Sequence, residues 1–117
     1  MPYQSVLQRL VRAVPGVQAA LMLDSEGEVV VETGAREDRL RLIGAYQGIA
    51  LATARRTASR YASGPVTYML SRYVWGQVIL RPLKDGYYLI LALEPDAAAG
   101  PGLHHSELAQ ARLDREL

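Results

Sequence analysis

The chain has no cysteine and no phenylalanine, and only two histidines, one lysine and one tryptophan among 117 residues. Without cysteine there is no disulfide, no thiolate metal site and no cysteine nucleophile, and the composition fits a reducing cytoplasm. An uncharged run approaching the roughly 20 residues needed to span a bilayer is also missing, and Met1 to Leu10 lacks the basic-then-apolar order of a secretion signal. No sign of charge dominates either. Thirteen basic residues stand against twelve acidic ones, so the formal charge of +1 gives none of the footprint of a nucleic-acid binder or an anionic-membrane binder. What remains is an ordinary globular composition, half apolar and 21% charged, at a length expected to form one domain over residues 1–117.

Val6, Leu7, Leu10, Val11 and Val14 recur at spacings of three and four, which predicts an amphipathic helix over Gln4 to Val14, stopped by Pro15 and Gly16. Val17 to Leu23 is almost wholly apolar and leads through the turn cluster Asp24, Ser25, Glu26 and Gly27 into Val29, Val30 and Val31, a hairpin pattern. A strand apolar on both faces must be covered on both, so helices should lie above and below it.

After a short polar connection from Gly34 to Glu37, Asp38 is a candidate N-cap for a long helix reaching about Ala62 and closed by Ser63, Gly64 and Pro65. One stripe of this helix carries Leu40, Ile43, Gly44, Ala50, Leu51, Ala54, Ala58 and Tyr61, enough to cover a sheet. Leu42, Ala45, Tyr46, Ile49, Ala52 and Thr53 form a second stripe on the opposite side, and no charge lies between Leu42 and Ala54. Such a helix is expected to be buried from two sides, and one small domain supplies only one. The second surface should come from another chain.

Three strand-like runs follow, Val66 to Tyr73, Gln77 to Arg81 and Tyr87 to Leu93. The stretch 94–105, with Pro95, Gly100, Pro101 and Gly102, reads as a flexible link to a last helix from about Ser106 to Leu117, with Ser106 as its N-cap. The order suits an α+β fold whose mainly antiparallel sheet carries helices on both faces.

Candidate chemistry is sparse. His104 and His105 are adjacent, so their side chains diverge and do not readily share one metal or catalytic site. Asp24, Glu26 and Glu28, or Asp85 and Glu94, fall at turns and strand ends, where acids serve local hydrogen bonding. Gly44 and Gly48 have no preceding strand and no following Gly-Lys-Ser/Thr, so they are not a phosphate loop; their spacing allows a close approach instead. Gln47 falls within the sheet-facing stripe and needs a partner if buried. No catalytic residue, cofactor or metal is expected.

The succession Val14-Pro15-Gly16-Val17, Leu23-Asp24-Ser25-Glu26-Gly27, the small-residue-rich helix Leu40 to Ala58, and Val78 to Leu93 with its Asp85-Gly86 turn resembles the Roadblock family. That family includes Roadblock-type dynein light chains and bacterial MglB-type regulators of small Ras-like GTPases. The resemblance implies a five-stranded antiparallel sheet, the long helix on one face and the N- and C-terminal helices on the other. It also implies a homodimer joined through the long helix and the third strand, and a non-enzymatic regulator or scaffold that binds a GTPase and alters its hydrolysis.

Applied to this sequence, the expected dimer contact comprises Leu42, Tyr46, Ile49, Thr53, Val66, Tyr68 and Leu70. The expected partner surface comprises Leu42, Ala45, Ile49, Ala52 and Thr53 with Arg56 and Arg60 at its rim. A small-ligand sensor, or a motor or signalling scaffold with no GTPase, is the alternative. The stretch from Tyr68 to Gly76 is richer in aromatic residues than a generic member would be, which makes it a second candidate binding region.

Overall fold

The computed structural model describes residues 2–117. Helix α1 spans Pro2–Ala13, β1 Val17–Leu23, β2 Val29–Gly34, α2 Asp38–Arg60, β3 Met69–Tyr73, β4 Gly76–Pro82, β5 Tyr88–Leu93 and α3 Ala99–Glu116. The strands form one five-stranded sheet in the order β2-β1-β5-β4-β3, antiparallel throughout. This is the α+β architecture expected from the sequence.

Alternation along the central strands explains the layers. Ala19, Leu21 and Leu23 of β1 join Tyr88, Ile90 and Ala92 of β5 and Leu40 and Leu51 of α2 in one core. Ala20 and Met22, with Leu89, Leu91 and Leu93, meet Leu7 and Leu10 of α1 and Ala109 and Leu113 of α3 on the other side. Because each face is covered, β4 and β5 are buried at every position. No helix among the described residues is long and apolar enough to cross a membrane.

The β1–β2 hairpin is held by its acid. One Asp24 carboxylate oxygen accepts the backbone N–H of Glu26 at 2.9 Å and of Glu28 at 3.0 Å, while Gly27 takes φ +82. Asp24 therefore spends its carboxylate on the turn, as its position predicts.

Helix α2 sits close to the sheet at its two glycines. Tyr88 Oη donates to the Gly44 carbonyl at 2.9 Å, and a Cβ at Gly48 would lie 2.6 Å from that same phenolic oxygen. Burial pushes the Tyr88 phenol pKa upward and the Asp24 charge adds to the shift. Gly48→Ala is expected to cost about 1–3 kcal/mol by overpacking. In a Tyr88→Phe background the cost should be smaller, and urea unfolding of the two single variants and the double variant measures that coupling.

Several boundaries differ from those expected. The last helix begins at Ala99, seven residues before Ser106, so the link at 94–105 shrinks to Glu94–Ala98. Pro101 is tolerated because it lies in the first turn, where backbone N–H groups have no intrahelical acceptor. Ser106 is no cap: it is fully buried, and its hydroxyl accepts Arg81 Nε at 3.0 Å. The N-cap of α2 is Glu37 and not Asp38. Val66 and Tyr68 precede β3, which starts at Met69, and Tyr61 is 72% exposed at the end of α2 and not part of its inner stripe.

Candidate functional site

The sheet-facing stripe of α2 places Leu40, Gly44, Gln47 and Leu51 in the interior. Its opposite stripe is bare. Leu42, Tyr46 and Ile49 are 58%, 62% and 63% exposed, Ala52 and Thr53 are exposed and Ala45 is half-buried. Large apolar side chains aligned at spacings of four and three over two turns form a contiguous patch, which scattered surface leucines do not.

Beyond Ile49 the stripe turns polar. Thr53 donates its hydroxyl to the Ile49 carbonyl at 3.2 Å and receives Arg56 Nη2 at 3.3 Å. Arg56 and Arg60 then line a shallow groove of about 430 Å³ with Thr53, Thr57 and Tyr61. Arginine and tyrosine beside an apolar patch are residue types enriched at protein contacts.

The expected third-strand contact residues divide between the two sides. Val66 is half-buried and packs with the α2-side core. Leu70 packs with the opposite core, and the Tyr68 ring lies 4.8 Å from the Arg81 guanidinium carbon. Of the three only Leu70 lies in β3, a terminal strand of the sheet whose free edge is open to pairing, and Val66 and Tyr68 lie in the segment leading into it.

Arg81 is 4% exposed. It is matched by the Leu103 carbonyl at 2.7 Å and the Ser106 hydroxyl, with Glu107 4.0 Å away, so it fastens α3 to β4. Desolvation lowers its pKa against the opposing influence of Glu107.

The aromatic segment is in large part structural. Tyr73 and Trp75 stack with ring centroids 5.2 Å apart and 7° between planes, Arg39 lies over Trp75, and Tyr73 Oη accepts Gln47 Nε2 at 3.1 Å. The Gln47 amide N–H thus finds a partner while its Oε1 is buried without one, and the hairpin covers the start of α2. Val74, 99% exposed at the tip, faces away from the protein. Its exposure and that of Tyr61 escape a reading by periodicity, since one lies in a turn and the other at a helix terminus.

At the other end of the outer face, Glu32 of β2 receives both Nε and Nη2 of Arg41. That contact holds the Glu32 pKa below the ordinary glutamate range. The tie between β2 and α2 is therefore complete at neutral pH and lost as pH falls through that lowered value. Among the described residues no three His, Cys, Asp or Glu side chains group to hold a metal. His104 and His105 pack edge to face on α3, centroids 5.0 Å apart.

The Roadblock/LC7 domain family matches residues 3–93, from α1 to the end of β5. This chain belongs to that family. As a Roadblock domain it is similar in fold to the gliding protein MglB of Thermus thermophilus, at 17% identity and TM-score 0.85 over 97% of this chain and 87% of that one. A Roadblock/LC7 domain from Streptomyces avermitilis matches at 18% identity and TM-score 0.80, over 97% and 96% of the two chains. MglC from Myxococcus xanthus matches at 25% identity and TM-score 0.72 over the full length of both. No curated protein matches the sequence. Helix α3 lies beyond the family match, yet the Roadblock structures cover nearly all of this chain, α3 included.

Proposed function

We propose that this Roadblock domain is a non-enzymatic, cytoplasmic homodimer that binds a small Ras-like GTPase and modulates its GTP hydrolysis. The observation that carries the reading is the apolar outer stripe of α2, left bare on a member of a family of interaction domains. In the dimer, Leu42, Tyr46, Ile49 and Thr53 meet their counterparts, and the border formed by Val66, Tyr68 and Leu70 joins β3 to its mate, closing an open sheet edge. Each large side chain fully buried there contributes about 1.5–3 kcal/mol before the costs of association.

Two adjacent helices cover each other only in part. The remainder of Leu42, Ala45, Ile49, Ala52 and Thr53 forms a composite patch for the GTPase, with Arg56 and Arg60 at the rim. The chain offers no phosphate loop, so hydrolysis belongs to the partner, and single-turnover GTP hydrolysis by a candidate GTPase with and without the dimer tests the reading directly.

Rim arginines act mainly on encounter rate and salt dependence. Arg56→Glu combined with Arg60→Glu, in a dimer that sedimentation shows to be intact, is expected to weaken GTPase binding about 10- to 100-fold and flatten its dependence on salt. Unchanged affinity and salt dependence would place the docking surface elsewhere.

A further inference from the structure

On the face of the sheet opposite α2, helices α1 and α3 lie side by side and antiparallel, with Tyr3 Oη at the start of α1 donating to the Glu116 carbonyl at the end of α3. Between them runs a cleft of about 170 Å³. Its floor is apolar, built from Val6, Leu10, Ala13 and Ala109, and Leu108 stands on its rim at 40% exposure. The volume accepts one large apolar side chain and is well below the about 300–1,000 Å³ of a small-molecule pocket.

The charged side chains that line this cleft are of one sign. Arg9 on α1 and Arg112 on α3 line it from its two banks, His105 lines it as well, and no carboxylate does. Neither arginine has an ion-pair partner among the described residues, and α1 has no acidic residue along its length. A carboxylate brought between the two guanidinium groups would meet a positive charge on either side. Arginine paired with an apolar slot is also a composition favoured at protein contacts.

We propose that this cleft is a docking site for an amphipathic helix of a partner protein, one apolar side chain seated on the floor and carboxylates on either side reaching Arg9 and Arg112. A groove between two antiparallel helices offers ridges into which a third helix nests. A continuous polyanion or an anionic lipid surface fits less well, since Glu107 and Glu116 are exposed on the same helix as Arg112. The site lies on the far side of the sheet from the α2 stripe and does not depend on what binds there. It gives each protomer a second, separate attachment point.

The test uses the full chain and two synthetic helical peptides, identical in their leucine face and differing only in glutamate or lysine flanks. Their binding is followed by amide chemical shifts. The glutamate peptide is expected to perturb α1 and α3 and to bind at least tenfold more tightly than the lysine peptide. Arg9→Glu with Arg112→Glu should invert that preference while circular dichroism and sedimentation remain those of the parent. Equal affinity for the two peptides, perturbations confined to α2 and β3, or an unaltered preference in the double variant would each overturn the proposal. So would tighter association with phosphatidylserine vesicles than with the glutamate peptide, which would assign the arginines to a membrane.

Discussion

An arginine in place of Leu51 should leave no folded protein, whereas an arginine in place of Ile49, two residues away, should leave the fold standing and remove the dimer. Leu51 is 3% exposed and packs in the core between α2 and the sheet. A guanidinium there loses its water and gains no counter-charge, since the residues around it are apolar. The penalty exceeds about 5 kcal/mol and so consumes most or all of the roughly 5–15 kcal/mol that a domain of this size has in total. Far-UV circular dichroism and a thermal scan should show a chain without a cooperative transition.

Ile49 is 63% exposed, so the guanidinium introduced by Ile49→Arg would find water within the protomer and secondary structure should be retained. In the proposed dimer the same side chain faces its mate, and two buried, unpaired cations would oppose association. Sedimentation should show a folded monomer at micromolar concentration. If Ile49→Arg also abolished folding, the outer stripe would be part of the monomer's own core. If it remained a dimer, the stripe would not be the contact.

That contrast was legible in the sequence because α2 carries its information in periodicity. A helix apolar on two sides assigns Leu51 to one face and Ile49 to the other, and the alternation through β1 demands helices on both faces of the sheet. Both follow from side-chain geometry alone. Apart from the first residues of the third run, 66–68, the expected strands likewise fall where β-branched and apolar runs place them. The Roadblock fold was legible from the order of these elements, while the location of an interaction surface rested on a single stripe.

Where sequence reading went astray, local chemistry competed with tertiary contact. Val66 and Tyr68 have strand-like composition, yet the chain before Met69 pairs with no strand, and Val66 is used to cover the α2-side core. Tyr61 fits the inner stripe by angle but lies just past the helix terminus, where 100° per residue no longer applies. The aromatic residues of Tyr68 to Trp75 look like binding groups by type. Only the fold reveals that Tyr73 accepts the Gln47 amide N–H, that Trp75 carries Arg39, and that Tyr68 lies against the buried Arg81. Arg81 itself gives no signal in sequence, because its partners Leu103 and Ser106 lie in or beside a segment that reads as a link.

The same segment yields the second large effect. Glycine and proline at 100–102 suggest flexibility, and a flexible link would tolerate substitution at either glycine alike. In the helix they differ in kind. A Cβ at Gly102 would lie 2.9 Å from Ile79 Cδ1 and 3.2 Å from Leu93 Cδ1, both fully buried, so this glycine lets α3 approach β4 and β5 closely. A Cβ at Gly100 meets nothing within 4 Å beyond its own helix and chain neighbours. Gly102→Leu is therefore expected to destabilise by about 3 kcal/mol or more, since a whole side chain must displace α3 from a close-packed sheet and strain the Arg81 contacts beside it. Gly100→Ala should instead change stability by less than about 1 kcal/mol, since the gain in helix propensity is opposed by the crowding that Pro101 imposes on a Cβ at the residue before it. A large loss at Gly102 beside a small effect at Gly100 in urea unfolding establishes that α3 is a packed helix from Ala99 onward, and equal, small effects would return the segment to a linker.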